Sequence, residues 1–324
     1  MKRSLRKIFA CMMSAICMMT FLTIWDGTEQ KNNKVLADEE ELWKLVWEDE
    51  FNGDSLDLTK WNNEGATGRN GWGNNELQDY QLEYSEVKDG KFIIKPQFQW
   101  NAATKKLVDN SVYSTRVWTK GLNSVKYGKI EFRAKMPTGE GTCAKAWMLG
   151  NEYDWPQCGE IDVASTVNSN KNIINQSIHC PKFNLMPTSS GNKGINAEIL
   201  DATTAYHTYG IIWTENNITF TIDGKNTLIY DPSFYSAAAT EDINVWPFNQ
   251  PFYMIFDCAV GGTLGGEVTP NGWTEISRDG DIVTYEDYYT IDWIRIYEAN
   301  DSGKNETENI IELSANAYRT ESNI

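Results

Sequence analysis

From Trp43 onward the apolar residues return at every second position, and no other feature limits the possible folds as strongly. In KIEFRAKM (129–136), Ile130, Phe132, Ala134 and Met136 alternate with Lys129, Glu131, Arg133 and Lys135. Successive side chains of a strand point to opposite faces, so this stretch lays one face on a core and leaves the other polar. Asp223-Gly224 in ITFTIDGKNTLIY (218–230) and Asp89-Gly90 in VKDGKFIIK (87–95) separate strand-like runs, which marks two hairpins. Such runs recur about every ten residues with Gly, Asn and Asp between them, and no amphipathic helix longer than two turns stands out. The expected fold class is all-β, an antiparallel sandwich.

One domain is expected over 43–298. Ahead of it, Lys2, Arg3, Arg6 and Lys7 precede an apolar run from Ile8 to Trp25, and Val35-Leu36-Ala37 ends in a small residue. Residues 1–37 therefore read as a secretory signal peptide and 38–42 as a short acidic linker. The apolar run is near the lower limit for a membrane span, so an uncleaved anchor is the alternative. Residues 299–324 form a polar, turn-rich tail expected to be disordered. The chain carries a formal charge of -16, and the leader holds six basic and two acidic side chains, so its removal takes the charge to -20. A surface that acidic disfavours nucleic acid, anionic lipid and sulfated polysaccharide and favours a neutral partner. The expected location is extracellular, with no membrane contact once the leader is gone.

Beyond the leader, Cys143, Cys158, Cys180 and Cys258 allow three full pairings and have no zinc-like spacing. At least two are expected to be small buried residues. Some aromatics sit among Gly, Asn and Gln in loop-like runs, notably Trp72 in GRNGWGNNELQDY (68–80) and Trp246 in NVWPFNQPF (244–252). A flat ring beside neutral amides suits a sugar, with an apolar face to stack on and partners for hydroxyls. Core packing is the competing use of the same rings.

In CGEIDVASTV (158–167), Glu160 and Asp162 are two apart on an expected strand, so both face one way while Ile161 and Val163 face the other. Two like charges roughly 6 to 7 Å apart cost stability, and structure alone rarely asks for them. A glycosidase that retains configuration does: it needs a carboxylate nucleophile and a second carboxyl that serves as acid and then base.

These residues, with WEDEFNGDSLDLTKW (47–61), GWGNNELQDY (71–80), YGKIEFRAKMPTGEG (127–141), WPQCGEID (155–162), YHTYGIIWT (206–214), WPFNQPFYMI (246–255), AVGG (259–262) and DWIRIY (292–297), resemble glycoside hydrolase family 16, and within it the laminarinase-like endo-β-1,3-glucanases. The resemblance covers nearly all of 43–298. It implies a concanavalin A-like jelly roll of two curved antiparallel sheets with a neutral β-glucan in the concave face. The family motif is Glu-x-Asp-x-x-Glu, whose extra residue forms a β-bulge that returns the last Glu to the cleft. Carried over, it makes Glu160 the nucleophile and Asp162 the assisting carboxyl, and it puts the acid/base position on Ser165. A serine hydroxyl cannot protonate a departing sugar oxygen at neutral pH, and losing general acid catalysis costs roughly a hundred- to ten-thousandfold.

The resemblance also implies sugar contacts from Trp72, Asn74, Asn75, Glu76, Trp147, Trp155, His179 and Trp246. The neighbouring strand departs from the family at TCAKAWML (142–149), where Cys143 stands for a Trp and Lys145 for an Ala; Lys145 is either a partner of the acidic pair or a functional group. His207 reads as structural. No catalytic metal is expected. A structural Ca2+ is implied at Glu48 or Glu50, the Gly90 carbonyl and Asp292, oxygen donors that suit a hard cation. Two functions follow: a retaining endo-β-1,3-glucanase, with Glu152 or Glu198 as possible substitutes for the lost acid, or a β-glucan-binding protein with impaired catalysis.

Overall fold

A computed structural model describes residues 42–63, 71–167 and 170–300; the expected leader, the start of the acidic linker and most of the tail lie outside the described residues. The described residues fall into a body, 45–298, and a separate small unit that holds 42–44 and 299–300.

Both expected hairpins form. Asp223 and Gly224 take φ of 49° and 72°, and Asp89 and Gly90 take 52° and 67°, the left-handed pair that a two-residue turn between twisted strands demands. They join Ile218–Ile222 to Lys225–Tyr230 and Ser85–Val87 to Phe92–Ile94. These four strands belong to an eight-stranded sheet, with His207–Trp213, Gly128–Lys135 and Tyr289–Ala299 between the two hairpins. Gly128–Lys135 alternates buried and half-buried residues along its length, as its period-two sequence requires.

A seven-stranded sheet packs on the apolar face of the first. Its order is Lys193–Glu198, Ile173–His179, Glu160–Thr166, Thr142–Gly150, Phe252–Val260, Arg116–Trp118 and Asn62–Asn63. The core lies between them; Phe132 of one sheet meets Phe256 of the other edge to face at 5.4 Å. Ile161, Val163 and Ala164 are fully buried in this core. Each of the two larger side chains contributes about 1.5–3 kcal/mol by leaving water, so the face presented by Glu160–Thr166 is set from beneath.

A third sheet of six short strands was not expected. Phe98, Val112, Val260, Val268 and Trp273 give it a small core of its own. All four cysteines beyond the leader are free and buried. His207 bridges Asp223 (Nδ1, 2.7 Å) and Asp201 (Nε2, 3.1 Å), so it ties a strand start to a hairpin turn.

Candidate active site

Opposed residues of an antiparallel pair share a face. In the seven-stranded sheet Leu149 opposes Glu160, Trp147 opposes Asp162 and Lys145 opposes Ser165, with a register shift between Ala146 and Trp147. Three steps on one strand therefore match two on the other. The extra residue bends the strand so that Val163 and Ala164 both enter the core and residue 165 returns to the face of Glu160 and Asp162. The strand on the other side repeats the count: His179 opposes Glu160, Ser177 opposes Asp162 and Asn175 opposes Ser165.

Glu160 and Asp162 are 8% and 5% exposed. Trp155 Nε1 donates to Glu160 Oε2 at 2.7 Å, and Ser177 Oγ donates to Asp162 Oδ2 at 2.7 Å. His179 Nε2 lies 3.0 Å from the same Asp162 oxygen. Polar atoms of Glu160, Asp162 and His179 all fall within 4.8 Å of one another. Burial and the neighbouring Asp162 push Glu160 up to about 7, against the pull of His179 and Lys145. Burial acts the same way on Asp162, but the hydrogen bonds from His179 and Ser177 and the charges of His179 and Lys145 outweigh it and hold it well below the usual carboxylate range. Burial lowers His179, and its bond to Asp162 and both carboxylates raise it above its ordinary value. The pair is thus polarised: Asp162 stays ionised, and Glu160 is the group whose charge changes near neutrality.

At the other end of the strand Ser165 is 3% exposed and has no carboxylate opposite it. Lys145 Nζ stands 5.4 Å from the Trp147 ring and makes no ion pair among the described residues. Burial opposes its charge, yet Cys143, then Asp162, Glu160 and Asp257 outweigh it and raise its pKa. Glu152 sits in an exposed loop with its backbone N donating to Gln250 Oε1 at 2.6 Å; Glu198 ends the edge strand, exposed, opposite Ile173. Neither is opposed to Ser165.

Asp257 and Arg116, which the sequence reading missed, extend the Ser165 row: Asp257 opposes Lys145, and Arg116 opposes Asp257. Asp257 Oδ2 accepts from Trp147 Nε1 at 3.0 Å and lies 3.4 Å from Arg116 Nε. Burial raises Asp257 to about 6 against those cations. The Arg116 guanidinium lies 4.7 Å from the Trp147 ring and 5.1 Å from the Trp72 ring. The signal was a lone carboxylate inside the apolar run FYMIFDCAV (252–260).

Trp72 takes a φ of 56° in the tight turn Gly71–Gly73, and its ring meets Tyr80 at 5.0 Å. Behind it Glu76 accepts from Asn74 Nδ2 (3.2 Å) and Gln78 Nε2 (2.9 Å), while Asn75 is exposed. Trp246 must be corrected. It is fully buried, stacked at 6.1 Å on Tyr230 and edge-on to Phe248 at 5.3 Å, so it is a core residue and cannot touch a sugar.

Residues 84–295 match the model of the glycosyl hydrolases family 16. The chain belongs to that family. It is 37% identical over 240 residues to glucan endo-1,3-β-glucosidase A1 of Niallia circulans, a match over 70% of this chain and 35% of that protein, so the chain spans about a third of that relative. It is 33% identical to a β-glucanase of Rhodothermus marinus over 79% of this chain and 85% of the relative. The crystal structure of the laminarinase from Rhodothermus marinus superimposes with a TM-score of 0.67 at 31% identity, over 80% of this chain and 98% of that one. The architecture is the family 16 jelly roll, laminarinase-like in sequence and in fold.

The family calcium set does not fit the residues as arranged. Asp292 is ion-paired with Arg133 and, at 3.9 Å, with Lys91. Glu50 is paired with Arg295 at 2.6 Å, and the Glu48 carbonyl accepts from Lys60 Nζ at 2.8 Å. Side-chain cations already occupy the Asp292 and Glu50 carboxylates, which leaves the exposed Glu48 carboxylate and the Gly90 carbonyl as the remaining donors of the set.

Proposed function

We propose that this family 16 protein is a secreted β-1,3-glucan-directed glycosidase whose nucleophilic half is complete and whose general acid is missing. The observation that carries this reading is the bulged register, with Glu160, Asp162 and Ser165 on one face. Glu160 is the nucleophile: its carboxylate attacks the anomeric carbon and forms a glycosyl-enzyme that water then releases with net retention. Asp162, ionised beside it and held by His179, keeps Glu160 basic, and Trp155 fixes the orientation of Glu160. Trp72, Trp147 and Trp155 supply ring faces and Asn74, Asn75 and Glu76 supply polar partners for a neutral glucan chain. The names of the relatives support the choice of β-1,3-linked glucan.

A second reading, a glucan-binding protein without turnover, is favoured by Ser165 itself, because an unactivated glucan has no proton source for its departing oxygen. Reducing-end release from laminarin and barley β-glucan by the wild type, Glu160→Gln and Ser165→Glu separates the two. Weak wild-type release that is lost in Glu160→Gln and raised in Ser165→Glu supports the glycosidase. A silent wild type with quenching of Trp fluorescence by laminarin supports the binding protein. Silence in all three proteins without any quenching removes both.

A further inference from the structure

Lys145 has no counterpart in the reaction just described, yet it opposes the residue that the reaction lacks. Its ammonium is charged, stands 5.4 Å from the Trp147 ring and makes no ion pair among the described residues, and the serine opposite it is 3% exposed. Opposed residues stand about 5 Å apart between Cβ atoms. That spacing puts a hydroxyl and an ammonium side by side on one face, and a serine hydroxyl ends about where the Cγ of a glutamate would lie, so the side chain is shorter by one carboxylate. We infer that Ser165 and Lys145 form a seat for a small carboxylate, and that a carboxylate bound there acts as general base for release of the glycosyl-enzyme.

The inference rests on Glu160 being the nucleophile. In the first half-reaction a Glu160 oxygen bonds to the anomeric carbon, and the bond to the leaving oxygen breaks with its electron pair. An aryl oxide leaves unprotonated, so that step needs no acid. In the second, a water oxygen bonds to the anomeric carbon and its proton passes to the seated carboxylate. The bond to Glu160 breaks and returns the electron pair to that side chain. Lys145 keeps the bound carboxylate ionised, which suits a base and not an acid. It acts through the guest, so it is a positioning residue. Half-saturation is expected at roughly ten to a hundred millimolar, the strength of about one charge-assisted hydrogen bond.

The test is pre-steady-state release of dinitrophenol from 2,4-dinitrophenyl β-laminaribioside by the full exported chain. It is run with sodium formate, acetate, benzoate or chloride at equal ionic strength. The expected result is a burst of about one equivalent followed by a slow phase that formate and acetate accelerate roughly tenfold or more, with benzoate and chloride inert. In Lys145→Gln the half-saturating formate concentration should rise about tenfold, and in Ser165→Glu the slow phase should be fast and indifferent to formate. Laminarin bearing C6 carboxylates, added without formate, distinguishes a glucan-borne carboxylate from a free one; acceleration by either supports the seat. A burst with a slow phase that no carboxylate accelerates overturns the inference and leaves the proposed function standing. An unchanged formate response in Lys145→Gln also overturns it. Absence of any dinitrophenol release abolished by Glu160→Gln overturns the proposed function, and the inference with it.

Discussion

The two ends of the strand Glu160–Thr166 are built to different standards. At the Glu160 end one oxygen of each carboxylate has a neighbour that fixes it: Trp155 on Glu160 Oε2, and Ser177 and His179 on Asp162 Oδ2, while Asp162 Oδ1 is buried without a hydrogen bond. At the Ser165 end the backbone is paired on both sides as well, but the residues flanking Ser165 are Lys145 and Asn175, and the row's carboxylate, Asp257, lies beyond Lys145 and is paired with Arg116. The bulge holds both ends to one face, so the difference is chemical and not geometrical. Position and reactivity are specified by separate residues, and one can be kept while the other is changed.

The largest effect expected from breaking this contrast is at the intact end. Glu160→Gln should lower release of dinitrophenol from the aryl glucoside by roughly ten-thousandfold or more, because it removes the nucleophile, with an unchanged melting temperature as the control. At the other end Ser165→Glu should raise laminarin hydrolysis by about a hundred- to ten-thousandfold, measured as reducing ends. A gain of less than about tenfold would mean that Lys145 disables the new carboxyl by holding it ionised. Asp257→Ala, which removes the buried carboxylate that pairs with Arg116 and accepts from Trp147, should cost up to about 3–5 kcal/mol in denaturant unfolding. Trp246→Ala should cost a similar 3–5 kcal/mol as a core truncation, yet leave the glucan affinity of the folded fraction unchanged, while Trp155→Ala should do the reverse. The smallest effect is in pH. As the proposed nucleophile Glu160 attacks only when ionised, and burial and Asp162 push it up to about 7. The burst rate should therefore fall about tenfold per unit as pH drops below that value and level off above it. A burst rate that is flat from pH 5 to 8 would mean that Glu160 is ionised throughout.

Much of this was legible in the chain. Alternation over KIEFRAKM and two Asp-Gly pairs gave strands and hairpins because a half-buried strand has period two and a two-residue turn needs positive φ. Glu160 and Asp162 were legible as a shared face for the same reason, and the bulge from the family motif. Trp246 was not. Its Pro, Asn and Gln neighbours read as a loop, and only the fold brings Tyr230 and Phe248 over its ring. Asp257 was missed because one carboxylate in an apolar run has no partner in sequence; its partners, Trp147 and Arg116, come from strands 110 and 141 residues away. The third sheet escaped because strands such as Asp79–Tyr80 and Tyr113–Ser114 are too short to have a period.

The bulge at Val163 has a consequence for how such a protein changes over generations. Val163 and Ala164 are anchored in the core, so the outward turn at 165 is imposed by hydrocarbon packing and owes nothing to the residue that sits there. A slot whose direction is set by its neighbours tolerates any small occupant without refolding. On the proposed reading, exchanging Ser165 for a carboxylic acid changes the chemistry of the position while Val163 and Ala164 keep its direction.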